Sequence, residues 1–317
     1  MSENNTSGWE RAVLEKVALA AVTEQRRARR WGILFKFLIF AYLFIVLFIA
    51  MGWVGKKDGL SEKHTALIDI SGVIASGSPA SADAVMQGLA EAFKDKHTQG
   101  IILRINSPGG SPVQSGYIND EIQRLRTKYP AIPLYAVVED MCASGGYYVA
   151  VAADKIYVNR ASLIGSIGVL MNGFGFTGTM EKLGVERRLL AAGENKGFLD
   201  PFSPLNDEQK AHATQMLGEI HQQFIDVVRK GRGKRLKETP DMFSGLVWVG
   251  QKSIELGLAD AIGSAEQVAR DVIKAENIVD FTPRENVAER FAKRFGAAAA
   301  ESLIKLSGAG AINFKLH

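Results

Sequence analysis

The chain has 317 residues, 47% of them apolar and 23% charged, with a formal net charge of +4. That length holds one large domain or two modest ones, and the apolar share is enough to bury a sizeable core. A lone cysteine, Cys142, excludes an intrachain disulfide, and a basic excess gathered at Arg26, Arg27, Arg29, Arg30 and Lys36 argues for a membrane flank over a nucleic-acid face.

Residues 9–30 (WERAVLEKVALAAVTEQRRARR) place Val13, Leu14, Val17 and Ala21 at helical spacing, as in a short amphipathic helix. No residue from Phe37 to Gly55 is charged, and the apolar stretch begins at Trp31. About 20 apolar residues cross the roughly 30 Å of bilayer hydrocarbon. Residues 31–55 are therefore read as a transmembrane helix, with Trp31 and Trp53 at the interfaces and Lys36 near enough to an end to snorkel. A cleaved signal peptide fits less well, because the apolar run is long and no small-x-small cleavage site follows it. Basic flanks stay in the cytoplasm. Residues 1–30 are then a cytoplasmic segment, and everything after the span is extracytoplasmic, on the outer face of the inner membrane in a bacterium. Residues 56–63 (KKDGLSEK) form a polar linker that reaches at most ~28 Å at about 3.5 Å per residue, so the outer domain stays close to the bilayer.

From residue 64 strands and helices alternate. HTALIDISGVI reads as a strand, SADAVMQGLAEAFKD as a helix capped by Ser81, and GIILRIN as a short buried strand before the turn Asn106-Ser107-Pro108-Gly109-Gly110-Ser111-Pro112. VQSGYINDEIQRLRTKY is helical and LYAVVED a strand; the CASGG turn leads into a helix at GYYVAVAAD. KIYVN and SIGVLM read as strands, residues 206–232 as a long helix ended by glycines, and LVWVGQKSIELGLADAIG as a strand-helix-strand unit. This alternation implies an α/β domain with a largely parallel sheet and crossover helices over residues 64–275. Residues 276–317 form a C-terminal tail with an amphipathic helix at ERFAKRFGAAAAESLIKLSGAG.

Three elements have the residue types that acyl transfer needs. Ser144 follows a strand in a turn of small residues and opens a helix. Gly145 and Gly146 let a substrate backbone approach, and the helix start offers unpaired N–H groups and a dipole that favours a developing oxyanion. The same string also suits an ordinary tight turn. The Asn106–Gly110 turn ends another strand, and the backbone N–H groups at Gly109, Gly110 and Gly145 are the candidates for an oxyanion hole. Lys196, in Gly193-Glu194-Asn195-Lys196-Gly197, is the third. A lysine works as a general base only when burial or a cationic neighbour keeps it neutral, and Phe198, Leu199, Pro201 and Phe202 are apolar residues that could screen it. Ser166, in Gly165-Ser166-Ile167-Gly168, is a candidate to orient the amine.

Other chemistries are less well served. The G-x-S-x-G elbow does not occur, no histidine lies between His97 and His212, and His212 and His221 carry no H-E-x-x-H frame. Cys142 reads as a small buried filler. There is no P-loop and no dinucleotide fingerprint, so neither a cofactor nor a metal is expected. An acyl-CoA enzyme would need neither a membrane span nor Lys196.

The strings NSPGG (106–110), ASGGYYVA (143–150), ADKIYVN (153–159) and GSIGVL (165–170), Lys196 with Pro201-Phe202, and the run from Trp248 to Asp260 together resemble the signal peptide peptidase A family in its short form, peptidase family S49. The resemblance spans roughly residues 64–275. It implies a spiral of βαβ units of the ClpP/crotonase type, a Ser144 nucleophile with Lys196 as general base, and peptide hydrolysis through an acyl-enzyme. It also implies hydrophobic peptide substrates, including cleaved signal peptides left in the membrane, and ring- or dome-like homo-oligomers in which the dyad can be completed across a subunit boundary. The chain departs from the family at Asn195, where an aromatic residue is common. A related membrane-protein quality-control protease, or a non-proteolytic crotonase-fold protein, are the other functions these features admit.

Overall fold

The computed structural model describes residues 6–50 and 62–283. They form two units. The first is a single helix, α1 (Thr6–Ala50), which runs unbroken through the expected cytoplasmic segment and into the apolar run. Within it Val13–Phe48 is long and apolar enough to cross a membrane, and its large side chains, from Trp31 to Phe48, are exposed. Exposed apolar surface on this scale is what a lipid environment would cover. Residues 51–55 of the expected span, most of the linker and the expected tail helix lie outside the described residues.

The second unit is an α/β domain. Its elements in order are β1 (His64–Ser71), α2 (Ala82–Lys94), β2 (Thr98–Ser107), α3 (Pro112–Lys128), β3 (Leu134–Ala143), α4 (Gly145–Ala150), β4 (Lys155–Val158), β5 (Leu163–Gly165), α5 (Thr177–Lys182), α6 (Asp207–Arg232), β6 (Val247–Val249), α7 (Gly250–Glu255), β7 (Ala261–Ile262), α8 (Ala265–Gln267), a π-helical turn (Val268–Ile273) and β8 (Ile278–Asp280). The sheet order is β6-β5-β3-β2-β1-β8, with β4 joining β3 to β7. Every pairing is parallel except β5 with β6.

The apolar strings explain this layering. Ile101, Ile102, Leu103 and Ile105 of β2 are all fully buried, as in a strand covered on both faces. On one face Ala66, Ile68 and Ile70 of β1 join Leu103 and Ile105 beneath Leu89 and Phe93 of α2 and Ile118 and Ile122 of α3. The opposite face sends Leu67, Ile102, Val137 and Tyr157 against Val268 and Ala269. The alternation along β1 is the two-residue period of a strand. Each large aliphatic side chain buried this way contributes roughly 1.5–3 kcal/mol before entropy is counted.

Strand β3 turns the sheet into a spiral. Residues 135–137 pair with β4, while residues 141–143 pair with β5. The end of β3 therefore leaves the main layer with a new neighbour, and the residue that follows it is Ser144.

Three local expectations are corrected, and one element is added. The strand expected at SIGVLM lies earlier, at Leu163–Gly165, because Gly165 and Ser166 both take positive φ and turn the chain. The domain runs past residue 275: β8 pairs with β1, and Val279 and Phe281 are buried, so residues 276–283 belong to the sheet rather than to a tail. Ser81 sits at the N-cap of α2 without a side-chain bond, and the Ala82 N–H is met instead by Gln114 Oε1 at 2.8 Å. A short helix, α5, forms at Thr177–Lys182 (TGTMEK), a stretch in which the sequence shows no clear period.

Candidate active site

Ser144 occupies a strained strand-to-helix turn. Its φ of 51° and ψ of −123° fall where a side chain with a Cβ is disfavoured. Two hydrogen bonds hold it there: its N–H donates to the Gly165 carbonyl at 2.8 Å, and its own carbonyl accepts from Tyr148 N–H at 3.0 Å. Ser166, the next residue along from Gly165, also has positive φ, 52°, with its N–H donating to Leu246 O at 2.7 Å. The two serines are thus braced from opposite sides of the β3–β5 pairing.

The Asn106–Gly110 turn closes against this elbow. The Ser107 hydroxyl donates to Gly72 O at 2.6 Å and accepts from Gly109 N–H at 3.1 Å. Gly109 has φ of 100°, and a Cβ there would lie 2.6 Å from Gly145 N and 2.7 Å from Ser144 Cβ. The bare backbone of Gly109 is thus what lets the turn reach Ser144, while its N–H is committed to Ser107. Gly110 is fixed by its bridge to Ile74; that bridge uses Gly109 O and Ser111 N–H and leaves the Gly110 N–H out. The N–H of Gly145 is the first in α4 and has no turn before it to bond. Among the described residues neither the Gly110 nor the Gly145 N–H has a protein acceptor. Both residues line the groove that contains Ser144.

This groove has a volume of about 960 Å³. Val113, Tyr117, Tyr148, Val169, Leu170 and Phe224 give it an apolar wall, Ser166 also lines it, and Asp120 is its single charged lining residue among the described residues. Tyr148 packs its ring on Phe224 of α6, centroids 5.1 Å apart. Burial, aided by the Asp120 charge, pushes the Tyr148 phenol upward, so it stays protonated in the neutral range. Cys142 is fully buried, and burial pushes its thiol far up, which removes it as a competing nucleophile.

Lys196 is placed elsewhere. It is exposed, in a turn closed by its own N–H to Gly193 O at 3.1 Å, and it does not line the groove. Phe198, two residues on, packs edge-to-face on His212 at 5.8 Å, and Leu199 N–H donates to Gln209 Oε1 at 3.1 Å. Both partners lie in the first two turns of α6, whereas Phe224, beside Tyr148 and the groove, lies toward its far end. His212 and Phe224 are twelve residues apart, about 18 Å along the helix at 1.5 Å per residue. The expected apolar screen around Lys196 is not formed within one chain. His221 is nearer the groove, but its Nε2 meets Ile167 O at 3.1 Å and ties α6 to the Ser166 loop.

Two further groove residues carry no motif in the sequence. Ser115 and Asp120 lie on α3, which reads simply as a helix. Ser115 shares the buried face of Ile118 and Ile122, and a polar side chain on an apolar stripe was the available signal.

A mostly parallel α/β spiral with a serine on a strained strand-to-helix turn defines a domain of the ClpP-like class. The comparisons give the family. The family model for peptidase family S49 matches residues 126–279. A Synechocystis protein named "Putative protease slr0021" is 31% identical over 206 residues, covering 65% of this chain and 72% of the relative. An Enterococcus faecium protein named "Putative signal peptide peptidase SppA" is 29% identical over 234 residues, covering 71% of this chain and 67% of the relative. The chain belongs to peptidase family S49. It is also 43% identical over 182 residues to a Brucella abortus protein named "Na(+)/H(+) antiporter NhaA", but spans only 25% of that protein's length.

Proposed function

We propose that the protein is a membrane-anchored serine endopeptidase that cleaves hydrophobic peptides, with Ser144 as nucleophile and Lys196 of a neighbouring copy as general base. The observation that carries the reading is the elbow. A strained Ser144 stands in an apolar groove beside two backbone N–H groups with no protein acceptor, the arrangement that acyl transfer requires.

In this reading Lys196 Nζ takes the Ser144 hydroxyl proton as Oγ attacks the peptide carbonyl carbon. The carbonyl oxygen, now negative, accepts from Gly110 and Gly145 N–H. The tetrahedral intermediate collapses, the C–N bond breaks, and the leaving amine takes the proton from the lysine ammonium. Water then attacks the acyl-enzyme by the same route, releasing the acid and restoring Ser144. Ser166 faces the groove and is placed to orient the incoming amine.

The second copy is needed on two grounds. A free lysine is protonated at neutral pH, and Lys196 in one chain is exposed and lies outside the lining of the groove. The segment that holds it, residues 169–206, also exposes Leu170, Met171, Phe174, Leu183, Leu190 and Leu205, an apolar surface suited to a subunit contact. Burial there would lower the amine's proton affinity.

The apolar groove and the apolar helix favour substrates such as cleaved signal peptides, and the basic cluster before the span favours a cytoplasmic N-terminus with the domain outside. The ion transport in the Brucella relative's name belongs to that protein, of which this chain matches a quarter. The test is a fluorophosphonate probe followed by mass spectrometry. An adduct on Ser144 that is lost in Ser144→Ala supports the reading; an adduct on another residue, or undiminished peptidase activity in Ser144→Ala, refutes it. Protease access showing residues 64–283 in the cytoplasm would refute the proposed substrate route.

A further inference from the structure

Ser115 has the single buried side-chain polar atom without a hydrogen-bond partner among the described residues. The residue is fully buried, on the first turns of α3, where its neighbour Ser111 does the expected work of a cap by accepting from Gln114 N–H. An unpaired buried hydroxyl is a net cost to the fold, and a serine on an apolar helical face is easily replaced by alanine. Its position explains what it is for. A methyl group built on Gly145 would lie 2.5 Å from Ser115 Oγ and 3.2 Å from Gly110 N. The hydroxyl therefore lies against the Gly145 backbone, close to Gly110, and Ser115 is itself one of the residues that line the groove.

We propose that Ser115 is a positioning residue of the oxyanion hole, a hydroxyl dipole held without a ground-state partner against the Gly145 backbone. Ser115 lines the groove, but its oxygen is closed to solvent and sits against Gly145, so it acts through the Gly145 backbone and not on the substrate. With no acceptor competing for it, the O–H is free to turn its positive end toward the hole as charge builds on the carbonyl oxygen. A dipole used in the transition state and idle in the ground state raises kcat while leaving KM alone. This inference rests on the proposed Ser144 chemistry.

The experiment uses the full-length protein in detergent, comparing wild type with Ser115→Ala, Ser115→Cys and Ser111→Ala. Turnover of an apolar fluorogenic peptide, the rate of fluorophosphonate labelling and Tm are measured. Ser115→Ala is expected to lower kcat and the labelling rate about 10- to 100-fold, with KM within about twofold of wild type and Tm unchanged or raised. Ser115→Cys, which keeps a weak donor of similar size, falls between. Ser111→Ala, which removes the cap of α3, shows a lower Tm. Wild-type kcat and labelling in Ser115→Ala overturn the proposal, and so does a lowered Tm or failure to fold, since that would mean the hydroxyl is bonded in the folded chain. Persistent labelling in Ser144→Ala would overturn the nucleophile assignment as well, which separates the two failures.

Discussion

Replacing Gly109 by alanine tests whether the turn must touch the elbow for Ser144 to be productive. The new Cβ would sit 2.6 Å from Gly145 N, 2.7 Å from Ser144 Cβ and 2.8 Å from Ala143 O. None of these atoms is the free end of a flexible side chain, so relief requires movement of the elbow itself. The positive φ of 100° at Gly109 costs a residue with a Cβ roughly 1–2 kcal/mol. Overpacking adds about 1–3 kcal/mol. The sum, about 2–5 kcal/mol, is within the roughly 5–15 kcal/mol that typical domains hold in reserve, so the variant folds with a lowered Tm. Its activity falls further, because a shift near 1 Å at a reacting group costs on the order of 100-fold. Gly77→Ala is the matched control. Gly77 also has positive φ, 75°, but a Cβ there meets nothing within 4 Å, so Tm drops slightly and kcat is retained. Steady-state kinetics on an apolar fluorogenic peptide, with thermal melts of both variants, provide the assay. Wild-type kcat in folded Gly109→Ala would refute the claim that this contact sets the geometry of Ser144.

Lys196→Ala and Lys196→Arg should each lose essentially all peptidase activity, the second because a guanidinium does not give up its proton. Activity that survives Lys196→Ala points to another base, with His221 the first to examine. Asp260→Asn should cost about 3–5 kcal/mol in chemical denaturation, because it strands Arg232, whose side chain is 1% exposed and hydrogen-bonded to Asp260 at 2.8 and 2.9 Å. Burial alone would raise the Asp260 carboxyl, but the Arg232 hydrogen bonds and charge, with the Ile156 N–H and Arg235, hold it below the usual range. Its stabilising contribution is therefore present above about pH 4, the unfolded carboxylate range, and is lost as pH falls below it; a flatter acid-unfolding profile in Asp260→Asn checks this. Asp120, the lone charge lining the groove, should favour peptides with a basic group near the scissile bond, and Asp120→Asn should reduce that preference about 3- to 10-fold in kcat/KM.

The parallel sheet was legible in the sequence because strands such as GIILRIN are apolar without interruption and the intervening helices show their period. The position of Ser144 could be read as well, since a small-residue turn between a strand and a helix start is a local pattern. Its strain, and the commitment of Gly109 N–H to Ser107, depend on contacts between turns far apart in sequence and left no local trace. Strand β8 was missed because Ile278–Asp280 is too short to show a period and is held by pairing to β1. The surroundings of Lys196 were misjudged for a related reason: apolar neighbours in sequence such as Phe198 pack on α6 and leave the amine outside. Ser115 shows in the sequence only as a polar residue on the apolar stripe of α3; that its hydroxyl is unpaired is a property of the packed interior.

The most direct test of the account is subunit mixing. Ser144→Ala and Lys196→Ala chains are inactive alone and are co-expressed in equal amounts. If the dyad is assembled between copies, random mixing restores roughly a quarter of wild-type activity, the fraction of boundaries that bring an intact Ser144 to an intact Lys196 across a head-to-tail interface. Mixed oligomers that form and stay silent would contradict a Ser144–Lys196 pair shared between chains.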